Sequence, residues 1–146
     1  MQKFERVFSD AMLPSRKTAK SAGYDMYLYE DVTIPPLKDG FVKPKLVSTG
    51  VKVKLDPDKW LMLVPRSSLS SKGLMLANTV GVIDSDYYGN PSNGGEIFAM
   101  FFNLSDTPVE LKKGDRVMQG IICSYDKVDY DDTEAERIGG VGSTGK

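Results

Sequence analysis

The chain has 146 residues, of which 40% are hydrophobic and 27% are charged, as in a soluble globular domain with one core of ordinary size. Its 19 lysine and arginine residues nearly balance its 20 aspartate and glutamate residues, so no overall field recruits nucleic acid or an acidic membrane. Histidine is absent, which excludes Ser-His-Asp and Cys-His catalysis and histidine-ligated zinc, so acid-base chemistry near neutral pH falls to a carboxylate, a lysine or a tyrosine.

Most of the chain reads as short strands separated by glycine and proline turns. In chain order the strand-like segments are KFERVF, GYDMYLYEDVTI, KLVSTGVKVKL, KWLMLVP, LANTVGVIDSDYYG, EIFAMFFNLS and VELKKGDRVMQGIICSY. The fifth segment reads as two strand arms around Gly81, and KKGD in the last segment reads as a turn. A helical period is found only as one or two turns at SSLSSKG. The pattern predicts an all-β sandwich or jelly roll without an internal repeat.

The apolar runs, the N-terminal segment and the cysteine content indicate the same cellular location. The apolar runs are too short to span a bilayer, and MQKFERVFSD lacks the basic-then-apolar pattern of a signal peptide. The single cysteine, Cys123, cannot form an internal disulfide and fits a reducing compartment. We therefore expect a cytoplasmic protein, encoded by a bacterium or a phage.

The glycine-rich end of the chain, ERIGGVGSTGK, can be interpreted in two ways. Its glycines allow successive backbone N–H groups to converge on an anion, while Ser143 and Thr144 add hydroxyl donors and Arg137 and Lys146 add charge. These are the parts of a phosphate clamp. Glycine-rich termini are, however, more often simply frayed, and composition alone favours that interpretation.

An Arg-Ser-Ser sequence within VPRSSLSSKG is a second candidate for anion binding. Arg66 precedes Ser67 and Ser68, whose hydroxyls and backbone amides at the start of a helical turn could face a phosphate. A capped short helix explains the same residues equally well.

Two polar residues fall within apolar strand segments. Asp84 follows Val82 and Ile83 on an apparently buried strand, where a carboxylate needs a partner or a function. Without histidine, Asp84 is the natural candidate to orient and deprotonate a water. Gln119 needs hydrogen-bond partners that either a phosphate oxygen or a backbone carbonyl could supply. Tyr87 is either an ordinary strand aromatic or a flat wall beneath a ring.

The order of these stretches is more informative than any one of them. From about Ala22 to the last residue the chain presents AGxD, PRSS, GxIDxDYxG, GDRxxQ and RxGGxGSTG. This succession resembles the five motifs of the trimeric dUTP pyrophosphatases (dUTPases). The resemblance implies a jelly-roll domain over residues 1–134, a flexible lid over residues 135–146, and a homotrimer. Its three interface sites would each take the uracil hairpin from one subunit, the phosphate-binding residues from a neighbour and the tail from the third.

The resemblance also implies a reaction and a role for each site residue. dUTP and water would give dUMP and pyrophosphate, with Mg²⁺ on the triphosphate, which keeps uracil out of DNA and supplies dUMP for thymidylate synthesis. Asp84 would be the general base, and Asp25 would reach Mg²⁺ through ordered water. The other implied substrate contacts are Asn78, Val82, Ile83 and Phe98 around uracil, Tyr87 at the deoxyribose, Arg66, Ser67, Ser68 and Gln119 at the α- and β-phosphates, and Arg137, Val141, Gly142, Ser143 and Thr144 in the lid.

The chain departs from the family pattern in its last motif and between two strands. Val141 stands where the usual lid carries a phenylalanine that stacks on uracil, and Arg137 is one residue nearer the glycine pair than is common. NPSNGG, Asn90 to Gly95, is inserted before Glu96. The insertion is either an unused excursion or a contact surface for another protein.

Three other functions compete with dUTP hydrolysis. The dCTP deaminases share the fold, but the position of their catalytic glutamate, three residues before Asn103, holds Met100 here. A catalytically weak nucleotide-binding or regulatory protein of the same fold is the second alternative. A structural jelly roll such as a capsid subunit, which predicts no nucleotide binding, is the third.

Overall fold

The structure is a computed structural model that describes residues 1–38 and 43–140. The lid residues Val141, Gly142, Ser143 and Thr144 therefore lie outside the described residues. In the described part of the chain, the regular elements are β1 (Lys3–Arg6), β2 (Tyr24–Tyr27), β3 (Val32–Ile34), β4 (Lys45–Ser48), β5 (Val51–Lys54), β6 (Lys59–Pro65), α1 (Ser67–Ser70), β7 (Leu74–Leu76), β8 (Gly81–Asp84), a 3-10 turn (Ser85–Tyr87), β9 (Phe98–Asn103), β10 (Val109–Leu111) and β11 (Arg116–Ser124).

The prediction of an all-β fold is confirmed. The main layers are a four-stranded sheet, in the order β2-β11-β6-β8, and a three-stranded sheet, in the order β4-β9-β7, with the smaller pairs β1-β5 and β10-β3 beside them. All of these pairs are antiparallel. Neighbours in sequence often lie in different sheets, as β4 and β5 do, so the chain crosses between layers as in a jelly roll.

The expected pair of strand arms around Gly81 is wrong. Strand β7 pairs with β9, whereas β8 pairs with β6, so the two arms belong to different sheets. The chain reverses before Gly81, at Thr79, whose φ is 62°. Gly81 is the first residue of β8, and a Cβ there would lie 2.8 Å from the Cβ of Leu63 on β6. Glycine therefore permits the close approach of two strands rather than a turn.

The core lies between the two main sheets and follows the two-residue alternation of the strands. On β6, Leu61 and Leu63 are 0% and 2% exposed and point inward, while Trp60, Met62 and Val64 are half-buried on the opposite face. On β9, Phe101 is buried in the same way. Burying one such leucine or phenylalanine contributes about 1.5–3 kcal/mol. This alternation fixes which face of each strand is available to a site.

Asn103, at the end of β9, is a buried polar residue with a full set of partners. Its Nδ2 donates to the carbonyls of Ile34 (3.0 Å) and Thr107 (2.7 Å), and its Oδ1 accepts from the backbone and the hydroxyl of Ser105. These bonds tie β3 and the turn that precedes β10 to the three-stranded sheet. Within residues 1–38 and 43–140, no helix is long and apolar enough to span a bilayer.

Candidate functional site

A pocket of about 370 Å³ lies between β8 with its 3-10 turn and the face of β4 and β9 that carries the exposed Leu46 and the half-buried Phe98 and Met100. The structure brings most of the predicted base- and sugar-binding residues together here, although they come from separate stretches of the chain. The pocket is lined by Leu46, Leu63, Asn78, Gly81, Val82, Ile83, Asp84, Tyr87, Phe98, Met100, Arg137 and Gly140. Sequence reasoning missed its apolar wall of Leu46, Leu63 and Met100, because ordinary strand residues give no signal of a pocket.

Asp84 stands at the end of an exposed edge strand, so the expectation of a buried strand is wrong. Strand β8 is the last strand of its sheet, Val82 is 58% exposed, and the Asp84 side chain is 53% exposed. The backbone of Asp84 is extended and leads directly into the 3-10 turn. The carboxylate therefore needs no buried partner to offset desolvation, and it is accessible to solvent and to a ligand in the pocket.

The 3-10 turn buries Tyr87 and anchors its hydroxyl. The Tyr87 side chain is nearly covered, its hydroxyl donates to the carbonyl of Glu96 (2.6 Å), and it accepts from Nδ2 of Asn93 (2.8 Å). Burial raises the pKa of the Tyr87 phenol above its ordinary value, so the group stays neutral near pH 7. Tyr87 is thus a fixed, uncharged wall of the pocket.

Arg137 returns from the C-terminal segment to the pocket of its own chain, where the resemblance implies a tail from a third subunit, and binds two carboxylates. Its Nη2 lies 2.5 Å from Oδ2 of Asp84 and its Nε lies 2.7 Å from Oδ1 of Asp86, and the guanidinium side chain is only 14% exposed. The hydrogen bond to Asp86, together with the charges of Asp86 and Asp84, raises the pKa of Arg137 above its ordinary value. Sequence reasoning missed Asp86, although its spacing two residues from Asp84 was a usable signal.

A second polar cluster forms where β2, β11 and β6 lie side by side. Asp25, buried on β2, lies 3.2 Å from Nε of Arg66 and 3.5 Å from Nη1 of Arg116. The strand register sets Asp25 opposite Gln119, which lies opposite Val64 on β6. The predicted Ser67 and Ser68 follow Arg66 at the exposed start of α1.

Gly23 makes room for the Gln119 side chain in this cluster. A Cβ at position 23 would overlap Oε1 of Gln119 and lie 3.0 Å from its Cδ and 3.1 Å from its Cβ. The glycine of the AGxD motif is therefore required because any side chain at this position would displace Gln119. Gln119 itself is half-buried rather than buried, which corrects the expectation from its apolar neighbours.

The two clusters are separate within one chain. Asp84 lies opposite Trp60 on β6, whereas Gln119 lies opposite Val64 on the other side of the same strand. Four residues along β6 and two interstrand spacings give roughly 16 Å between the two Cα atoms. Side chains stand roughly perpendicular to a sheet, so Asp84 and Gln119 of one chain do not reach the same atom.

The described residues offer little direct ligation to a metal. Among them, no three or more cysteine and carboxylate side chains are grouped so that they could hold a metal ion. Asp25, the predicted contact to Mg²⁺, supplies one carboxylate that two guanidinium groups already neutralise. This donor set fits a contact through a metal-bound water and does not fit an inner-sphere cage.

The NPSNGG insertion contacts its own chain. The side-chain amide of Asn90 donates to the carbonyl of Gly139 (2.5 Å), which follows Arg137 in the C-terminal segment. The prediction of a protein partner at the Asn90 to Gly95 loop finds no support: Asn90 and Asn93 bond Gly139 and Tyr87 of the same chain, and Ser92 is exposed.

The sheets and the pocket define an all-β, jelly-roll protein with a largely apolar pocket at a sheet edge, whose wall carries the exposed carboxylate of Asp84. Residues 9–145 match the family model described as dUTPase. This match spans nearly the whole chain, and the chain therefore belongs to the dUTPase family.

Individual relatives agree with the family model. The deoxyuridine 5'-triphosphate nucleotidohydrolase of Lactococcus lactis is 43% identical over 136 residues, which cover 91% of this chain and 87% of the relative. The crystal structure of dUTPase from Streptococcus mutans aligns with a TM-score of 0.77 at 42% identity, covering 86% of this chain and 98% of that one. A variant dUTPase from a phage of S. aureus, which coordinates a structural Mg(II) ion, aligns with a TM-score of 0.70 over 92% of this chain and 97% of that one. At 20% identity it shows the fold alone.

Proposed function

We propose that the chain hydrolyses dUTP to dUMP and pyrophosphate, and that Asp84 activates the attacking water. The observation that carries this proposal is an exposed carboxylate at the wall of a pocket whose other lining residues suit a nucleoside. Membership of the dUTPase family and the names of the Lactococcus and Streptococcus relatives support the same substrate. The reaction would keep uracil out of DNA and supply dUMP for thymidylate synthesis.

In the proposed step, Asp84 takes one proton from a water whose oxygen attacks the α-phosphorus. The new P–O bond forms in line with the bond between the α-phosphorus and the α,β-bridging oxygen. That bond breaks, and the bridging oxygen leaves as part of pyrophosphate. A general base positioned in this way contributes about a hundredfold or more to the rate.

The nucleoside would occupy the pocket with uracil towards β8 and β9. The Asn78 side chain and the backbone of Val82, Ile83 and Phe98 supply donors and acceptors that can match the edge of uracil. A cytosine would then present mispaired groups, and such mismatches discriminate strongly. Tyr87, held by two hydrogen bonds, would pack against the deoxyribose and leave no room for a 2′-hydroxyl.

We infer that the complete site needs more than one copy of the chain. The phosphate cluster of Arg66, Ser67, Ser68 and Gln119 is too far from Asp84 to serve the same α-phosphate, as the separation of roughly 16 Å indicates. The outer face of the four-stranded sheet carries half-buried or exposed apolar side chains that another copy could cover, namely Trp60, Met62, Val64, Val82 and Ile121. A homotrimer with shared sites accounts for both observations.

Arg137 would exchange its partners when a triphosphate binds. Its guanidinium now forms ion pairs with Asp84 and Asp86. A γ-phosphate offers Arg137 a more highly charged partner, and the transfer would release Asp84 to accept a proton. We assign residues 1–134 to the β domain and residues 135–146 to a lid, in which Val141, Gly142, Ser143 and Thr144 would cover the phosphates.

Magnesium would reach the site on the triphosphate, and Asp25 would hold it through one of its waters. When bound, the ion would supply positive charge that stabilises the negative charge developing on the phosphates. Arg66 and Arg116, which flank Asp25, keep that carboxylate in place.

The decisive experiment measures pyrophosphate release from dUTP by the wild-type chain and by Asp84→Asn. We expect a loss of at least about a hundredfold in kcat with nucleotide binding retained. Binding is checked by thermal shift with a non-hydrolysable dUTP analogue, because a ligand specific for the native state stabilises it. An Asp84→Asn variant as fast as wild type would refute the assigned base, and a wild-type chain that binds without turnover would favour a regulatory role. A mass measurement in solution tests the trimer.

A further inference from the structure

The NPSNGG loop is a rigid platform built around Asn90. Asn90 is 3% exposed, and its Oδ1 accepts from the backbone N–H (3.0 Å) and the hydroxyl (2.7 Å) of Ser92. Its backbone carbonyl accepts from the N–H of Gly94 (2.7 Å). Gly94 and Gly95 have φ values of 70° and 86°, which only glycine adopts without strain. The loop is therefore held in one shape by its own hydrogen bonds.

One donor of this platform faces outward to the C-terminal segment. The Nδ2 group of Asn90, which the bonds inside the loop do not use, donates to the carbonyl of Gly139. The next residue, Gly140, lies so close to the loop that a Cβ there would be 2.9 Å from Oγ of Ser92 and 3.4 Å from Nδ2 of Asn93. The segment thus fits the loop through both a hydrogen bond and a close contact.

The same platform is joined to the pocket. Asn93 donates to the hydroxyl of Tyr87, and the segment that docks on the loop carries Arg137, which holds Asp84 and Asp86. The loop is therefore the physical link between the wall of the pocket and the arginine that returns to it.

We propose that Asn90 and the loop are positioning elements for dUTP hydrolysis, which hold residues 137–140 against the chain's own pocket so that Arg137 meets the substrate. This inference rests on the proposed function for its kinetic consequence alone. Loss of one hydrogen bond of this kind corresponds to roughly a three- to tenfold change in the docked population. The KM for dUTP should rise by that factor in Asn90→Ala, while kcat changes less than about twofold, because Asn90 touches neither the reacting atoms nor the base.

Tryptic cleavage after Arg137 measures docking without any catalysis. The docked side chain is largely covered, whereas Lys127 is exposed and provides an internal reference site. We expect Asn90→Ala and Gly140→Ala to speed cleavage after Arg137 about three- to tenfold relative to Lys127, read by mass spectrometry of the full-length chain.

Two matched variants make the test specific. Ser92→Ala loses a hydrogen bond inside the loop but keeps the Asn90 donor, so its cleavage rate should stay within about twofold of wild type. Ser92→Ala also removes the Oγ atom that the new Cβ of Gly140→Ala would meet, so the double variant should regain slow cleavage. Should Asn90→Ala not fold, Asn90→Asp keeps the acceptor for Ser92 and loses the donor to Gly139.

The cleavage and kinetic results distinguish a failure of the loop proposal from a failure of the proposed function. Faster cleavage in the Asn90→Ala variant and in Gly140→Ala, with recovery in the double variant and a raised KM, supports the proposal. Unchanged cleavage in folded variants at positions 90 and 140, or no recovery in the double variant, overturns it even if dUTP hydrolysis is normal. A chain that never hydrolyses dUTP would refute the proposed function, while the cleavage data would still decide whether the loop holds the segment.

Discussion

Substitution of Gly23 by alanine adds a Cβ beside Gln119 and so tests the role of Gln119 in the phosphate cluster. The added Cβ would overlap Oε1 of Gln119 and lie within 3.1 Å of its Cδ and Cβ, so the Gln119 side chain must rotate away. Overpacking of this kind costs about 1–3 kcal/mol of unfolding free energy. If Gln119 donates to a phosphate, its displacement loses a hydrogen bond to a charged group, which contributes about 1.5–3 kcal/mol.

The expected kinetic effect follows from the free energy of the lost hydrogen bond. We expect kcat/KM for dUTP to fall by about tenfold to a hundredfold in Gly23→Ala, since each step of about 1.4 kcal/mol corresponds to a factor of ten. The assay is steady-state pyrophosphate release, with urea unfolding used to measure the change in stability separately.

The control is the same substitution in a Gln119→Ala background. With the amide already absent, Gly23→Ala should reduce kcat/KM by less than about twofold, because the two changes act on one contact. Equal losses in both backgrounds would show that Gly23 acts by another route and that the glycine does not serve Gln119.

Three further predictions concern the C-terminal segment and the core. Asp86→Asn should weaken docking of Arg137 by about 0.2–1 kcal/mol and speed its tryptic cleavage up to about fivefold, and NaCl at about 1 M should remove most of the difference between variant and wild type. Val141→Phe should lower the KM for dUTP or raise kcat by roughly fivefold, corresponding to about 1 kcal/mol for an aromatic stack, and unchanged constants would refute a stacking role. Asn103→Leu should lower the unfolding free energy by about 2–4 kcal/mol in urea titrations, since the carbonyl of Ile34 and the N–H of Ser105 lose the Asn103 side chain as their partner and the carbonyl of Thr107 keeps only the Ser105 hydroxyl. A smaller loss would mean that water replaces the amide.

The strands were predictable because their signal is local. Each strand-like segment of the sequence contains at least one observed strand, and KWLMLVP matches β6 from Lys59 to Pro65. The short helical turn after Arg66 was likewise visible in SSLSSKG. Apolar alternation and β-branched residues act on the chain within a few positions, so sequence alone carries them.

The pairing of those strands was not predictable in the same way. The segment around Gly81 reads as two arms of a hairpin, yet its strands join different sheets. The expectation of a buried strand failed for the same reason, since β8 pairs on one side only and leaves Val82 and Asp84 exposed. Which strand becomes an edge depends on the whole sheet order, and no local pattern specifies it.

By itself, the sequence determined which chemical groups this protein can use: carboxylates and an amide without histidine, an Arg-Ser-Ser turn, and a glycine-rich end. Only the tertiary structure decided their grouping. It joined Arg137 to Asp84 across 53 residues, seated Gly139 on Asn90 across 49, and set Asp84 and Gln119 at opposite ends of β6. The physical reason is that these contacts follow from the register of strands distant in sequence, which is set by the burial of the whole core at once.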